Sequence, residues 1–155
     1  MGLDMYLKAE KYFSGYSFAK EDEKKSYAAI LSAAGANELG DPDSPSLTVK
    51  ITVGYWRKAN AVHAWFVKNV QDGRDECQEA HCEREQLMAL KVDCMAVLAN
   101  PQNAKKILPT QAGFFFGSTD IDEYYLEDLR HTVAVIDKCL GDALKGWSFI
   151  YRSSW

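Results

Sequence analysis

Leu108-Pro109-Thr110-Gln111-Ala112-Gly113-Phe114-Phe115-Phe116-Gly117-Ser118-Thr119 leads directly into Asp120-Ile121-Asp122-Glu123-Tyr124-Tyr125 and a patterned run ending at Leu140-Gly141. Three adjacent phenylalanines between two glycines suit neither a solvated loop nor a regular amphipathic helix. The triplet therefore reads as core or as a partner-facing patch. Beyond Gly117 the pattern predicts a long helix. Thr119 is placed to cap that helix, with Asp122 in the capping-box position. Asp120 and Glu123 add carboxylates to the first turn, where the helix dipole favours them. Leu126, Leu129, Val133, Ile136 and Leu140 continue from Asp122 at helical spacing and are expected to line one buried stripe, with Gly141 as the stop.

Working outward, Leu3, Met5 and Leu7 alternate with Asp4, Tyr6 and Lys8, predicting a half-buried strand that runs to Tyr12 or Phe13. Glu21 to Ala36 reads as a helix, and Asn37 to Ser46, with Gly40, Pro42 and Pro45, as a loop. Leu47 to Tyr55 is a second strand. Trp56 to Val70 is expected to be a helix with Ala59, Val62, Phe66 and Val70 on its buried side. A further helix begins at Cys82 or Glu83 and ends at Asn100-Pro101, carrying Leu87, Leu90, Cys94 and Leu98 as its stripe. A short helical turn covers Ala104 to Leu108, and Trp147 to Tyr151 alternates as a third strand. The expected fold is α+β: one domain over residues 1–155, with a small three-stranded antiparallel sheet covered by about four helices.

The totals narrow the function classes. With 155 residues, 47% of them hydrophobic, the chain is long enough to bury a core without staples. A net charge of −4 argues against direct nucleic-acid binding. No apolar run approaches the roughly 20 residues that cross a bilayer, and the first residues lack a signal peptide's basic and apolar regions. A cytoplasmic protein is expected, with Cys77, Cys82, Cys94 and Cys139 as reduced thiols. No nucleophile elbow, zinc-protease motif, dinucleotide fingerprint or kinase signature occurs, so the chain leans away from an enzyme.

Candidate binding residues fall in two groups. On the expected helix from Trp56, the residues Trp56, Asn60 and His63 share a face, and Arg57 lies in the first turn, where the dipole disfavours a cation. With Gln111 they would line a pocket for a small anionic ligand such as a nucleotide. The alternative is a packed Trp56, an internally satisfied Asn60 and a surface His63. Asp120, Glu123 and Tyr124 form the second group, a partner-facing surface at the start of the long helix. Cys77, His81 and Cys82 could supply three soft ligands, but no paired Cys-x-x-Cys motif accompanies them, so neither a metal nor a cofactor is expected.

Several blocks together carry a resemblance: Gly2-Leu3-Asp4-Met5-Tyr6-Leu7, Tyr55-Trp56-Arg57-Lys58-Ala59-Asn60-Ala61, Asn69-Val70-Gln71-Asp72-Gly73, the segment from Leu108 to Thr119, and Ser153-Ser154-Trp155. The chain resembles a family of small uncharacterised bacteriophage, prophage and bacterial proteins. Relatives in that family place a capping serine where this chain has Cys82, which speaks against a shared zinc site. The resemblance implies a phage-type origin and carries no activity over; with the chain's size, its acidity and the lack of a catalytic signature, an accessory protein that binds a host protein is expected. The leading expectation is inhibition of a bacterial antiviral defence component such as CRISPR. The alternative is a small-molecule-binding protein or enzyme with its pocket near Trp56, Asn60 and His63. A self-associating phage assembly factor is the third.

Overall fold

The computed structural model describes residues 2–155 and shows an α+β fold. Its strands are β1 (Asp4–Ser14), β2 (Ser46–Arg57), β3 (Ala80–Cys82) and β4 (Ser148–Ser154). They form one antiparallel sheet in the order β2-β1-β4-β3. Its helices are α1 (Glu21–Ala33), α2 (Asn60–Asn69), α3 (Arg84–Ala99), α4 (Ala104–Ile107) and α5 (Glu123–Leu140). The chain resolves into two compact units, Met1–Ala9 with Ile51–Trp155, and Glu10–Lys50.

The larger unit holds the core. Leu3, Met5, Leu7 and Ala9 alternate along β1 with no exposed surface, while Asp4, Tyr6 and Lys8 point the other way. β4 answers with buried Phe149, Tyr151 and Ser153. Phe66 of α2 stacks on Tyr151 with ring centroids 3.9 Å apart and planes 6° from parallel. α3 contributes Leu87, Leu90, Cys94 and Val97 and packs along α5. A reciprocal capping box starts α3: the Glu83 side chain accepts from the Gln86 backbone, and the Glu83 N–H donates to Gln86 Oε1 at 2.8 Å.

In the smaller unit, the Gly15 N–H donates to Pro45 O at 2.7 Å, and the Tyr16 and Phe18 rings stack at 5.0 Å. The Tyr27 ring packs where any side chain at Gly15 would sit. No residue of α1 is fully buried.

Four expectations need correction. The sheet has four strands, not three, because the three-residue β3 is too short to show an alternation. It pairs antiparallel with β4, Ala80 opposite Tyr151 and Cys82 opposite Phe149. The Trp56 helix begins later: β2 runs on through Trp56 and Arg57, Lys58 turns the chain with φ 60°, and α2 starts at Asn60. The long helix is capped by Asp122, whose Oδ1 accepts from the Tyr125 N–H at 3.0 Å, and not by Thr119. Its fully buried positions are Tyr125, Leu129, Thr132, Val135, Ile136 and Cys139, while Leu126, Val133 and Leu140 are half-buried. The stripe is rotated because Thr132 is a buried acceptor, taking the Trp56 Nε1–H at 2.9 Å, which an apolar count leaves out.

Candidate interaction site

The segment between α4 and α5 is a built loop. Asn60, the first residue of α2, holds it from inside with three hydrogen bonds. Its Oδ1 accepts from the Gln111 N–H at 3.0 Å, and its Nδ2 donates to Phe116 O at 3.0 Å and Ser118 O at 2.7 Å. The Thr110 hydroxyl closes the neck by donating to Thr119 O at 2.9 Å. The Leu3 N–H donates to Phe115 O at 3.0 Å, while Leu3 O accepts the Lys58 N–H at 2.8 Å, so the start of β1 ties the loop to the turn before α2.

Two glycines make the loop fold this way. A Cβ at Gly113 would fall 2.6 Å from the Phe116 ring, and the Phe116 backbone N–H closes a turn onto Gly113 O at 3.1 Å. Gly117 has φ +86°, which side chains disfavour, and a Cβ there would crowd Lys58 Cβ at 3.1 Å. The phenylalanine triplet is thereby divided. Phe116 is buried and meets His63 edge-on at 5.2 Å, Phe115 is half-buried, and Phe114 stands 96% exposed. The core reading therefore holds for Phe116, while Phe114 lies on the surface.

Beside the loop lies a cleft of about 370 Å³. Arg57, Lys58 and Asn60 line one side, and Asp120, Asp122, Tyr124, Glu127 and Asp128 are among the residues on the others. Burial pushes the Asp128 carboxyl up to about 6, with Asp122 and Glu127 adding to the rise and His131 opposing it. Arg57 reaches Asp4 at 3.8 Å, and Tyr55 donates its hydroxyl to the same carboxylate. Tyr124 is 83% exposed, and Glu123 is exposed and paired with Arg130 at 2.6 Å.

The structure brings Arg57, Asn60, Asp120 and Tyr124 to one cleft and leaves Trp56 and His63 out of it. The expected face of Trp56, Asn60 and His63 does not exist, because Trp56 belongs to β2 and not to the helix. Gln111 enters only through its backbone, and Glu123 faces outward beside the cleft without lining it.

His63 is fully buried, neither lining a pocket nor on the surface, whereas Trp56 is packed and Asn60 internally satisfied, as in the alternative reading. Its Nε2 lies 2.9 Å from Asp75 Oδ2 and its Nδ1 2.8 Å from the Tyr151 hydroxyl. A carboxylate accepts only, so a neutral ring carries its proton on Nε2 and takes the Tyr151 O–H at Nδ1. Trp155 Nε1 donates to the other Asp75 oxygen at 3.1 Å. The chain Tyr151–His63–Asp75–Trp155 has the components of an acid–base relay, but His63 and Tyr151 have no exposed surface through which a substrate could reach them. It serves to lock the loop after α2 and the last residue onto the core. The signal that could have found it is His63 one turn beyond Asn60 in the middle of an apolar run.

His81 and Cys82 are adjacent on β3, so they face opposite sides of the sheet: His81 is exposed and Cys82 buried. Among the described residues, no three His, Cys, Asp or Glu side chains converge to hold a metal, and all four cysteines are free thiols. Burial pushes Cys82 and Cys94 up to about 12 and Cys139 up to about 11, which keeps these thiols protonated and inert. No described helix is long and apolar enough to cross a membrane. No family model, curated protein or solved structure matches the chain.

Proposed function

We propose that this is a phage-type accessory protein that binds a bacterial host protein and so inhibits an antiviral defence component such as a CRISPR effector, in the host cytoplasm. The observation that carries this reading is Phe114, 96% exposed on a loop whose backbone is already fixed from inside by Asn60 and at its neck by Thr110. A large apolar ring on a pre-ordered loop loses little conformational freedom when a partner buries it, so most of the burial energy reaches the complex. Aromatic anchors of this kind dominate binding energy at protein interfaces.

Tyr124 and the carboxylates of Asp120 and Glu123 extend the exposed surface at the start of α5. With a net charge of −4, they suit a partner whose contact surface is basic, and they speed encounter more than they hold the complex. The chain acts here by occupying a surface, without chemistry of its own.

The test is phage plating on a bacterium with an active CRISPR system. Expression of the chain should restore plating of a targeted phage, and Phe114→Ser should abolish the restoration without changing the melting temperature. Full immunity in the presence of the folded wild-type chain would overturn the CRISPR assignment. Equal restoration by wild type and Phe114→Ser would remove the loop from the contact.

A further inference from the structure

We propose that the cleft between the Lys58 turn and the first turns of α5 binds a small zwitterion, a molecule with an ammonium or guanidinium group at one end and a carboxylate at the other. The inference does not depend on a protein partner. It starts from two residues of opposite charge, Lys58 and Asp128, that line the same cleft and form no ion pair with each other. Lys58 makes no ion pair among the described residues, and the Asp128 carboxylate makes neither an ion pair nor a hydrogen bond among them. Attraction falls with distance, so two such charges across a cleft gain little from each other. A ligand whose own charges face each of them gains at both ends.

The neighbouring groups are already committed. The Tyr125 hydroxyl donates to Leu108 O at 2.8 Å, Asp122 spends one oxygen on the cap of α5, and Asn60 holds the loop. Arg57 leans on Asp4, and Glu127 reaches Arg130 at 3.5 Å. Asp120 accepts from the Ser118 hydroxyl at 2.9 Å. The lining groups with no such partner are Lys58, Asp128 and the exposed Tyr124 ring, which can face a ligand cation. The groups acting on Asp128 are Asp122, Glu127 and His131, with neither Lys58 nor Arg57 among them, so no lining cation relieves its burial. A purely anionic ligand would meet Asp120, Asp122, Glu127 and Asp128, and a purely cationic one would leave Lys58 without a partner. At about 370 Å³ the space falls within the range of small-ligand sites.

The experiment is an NMR titration of the full chain with L-arginine and γ-aminobutyrate as zwitterions of different span, agmatine as a cation alone and glutarate as an anion alone. At least one zwitterion should shift the amides of 57–60 and 117–128 and bind about tenfold more tightly than agmatine or glutarate. Asp128→Asn and Lys58→Met should each weaken it by about tenfold or more, while amide shifts away from the cleft report that each variant is folded. Absence of cleft shifts with either zwitterion up to about 10 mM, equal binding of agmatine, or indifference to both substitutions would each overturn the proposal.

Discussion

The two compact units are stabilised by different physics. In the larger, every apolar residue of the β1 start, from Leu3 to Ala9, is sealed, and Phe66, Leu87, Leu90, Leu129 and Ile136 close over them. In the smaller, residues 10–50, no described apolar side chain is fully buried, and Phe18 is 84% exposed. What orders that unit is hydrogen bonding and ring stacking without a sealed core: the Gly15–Pro45 backbone bond, which closes the chain around α1, the Tyr16–Phe18 stack, and the Ser26 hydroxyl bonded to Asp22 O at 2.8 Å within α1. A helix with no fully buried residue belongs to the low end of the range of local stabilities, whatever its propensity. Apolar pattern alone does not distinguish the two, since Tyr27, Ile30 and Leu31 of α1 are spaced as regularly as the residues of α3.

The comparison can be broken most directly at Phe66. Phe66→Ala removes a ring stacked on Tyr151 and should cost about 3–5 kcal/mol in denaturant unfolding. Asn60→Ala comes next, at about 2 kcal/mol, because Phe116 O, Ser118 O and the Gln111 N–H lose their partner. Its signature in hydrogen exchange is selective: amides of 111–118 should speed up while those of α1 do not change.

The third test concerns pH. The Asp128 carboxyl stands at about 6 against an ordinary 3.8, so between those values the folded state holds more proton than the unfolded state. Stability therefore falls as pH rises through that window: the benefit of the neutral form is complete below the unfolded value and gone above the folded one. Asp128→Asn should flatten the slope and gain about 1 kcal/mol above pH 7, after allowance for solvent around a partly buried group. An unchanged melting-temperature profile from pH 4 to about 7 would show that burial does not penalise this carboxylate. Smallest of all is Phe18→Ser, which loses only the stack of an exposed ring on Tyr16 and should cost about 0.5 kcal/mol. A loss comparable to that at Phe66 would reveal a core in residues 10–50 and end the contrast.

The sequence was legible where one short-range period sufficed. The alternation from Leu3 to Ala9 specified β1 and its buried face, the acidic first turn and Gly141 bracketed α5, and Asn100-Pro101 ended α3. It misled where two periods meet. Trp56 and Arg57 fit the start of a helix as well as the end of a strand, and only the pairing of β2 with β1 decides for the strand. Asp122 outcompetes Thr119 as the cap because the Asn60-held loop sets where the chain can enter α5.

Of the candidate site, the sequence alone determined the ingredients: a glycine-flanked aromatic triplet, an acidic helix start, and a Trp-Arg-Lys-Ala-Asn block far away in the chain. Tertiary structure decided their roles. It buried Trp56 and His63, turned Asn60 inward, aimed Phe114 outward, and set Lys58 and Asp128 on one cleft. The reason is reach. Periodicity reports which face of an element meets the core, whereas a side chain 51 residues from the backbone it holds, as Asn60 is from Gln111, leaves no trace in local pattern.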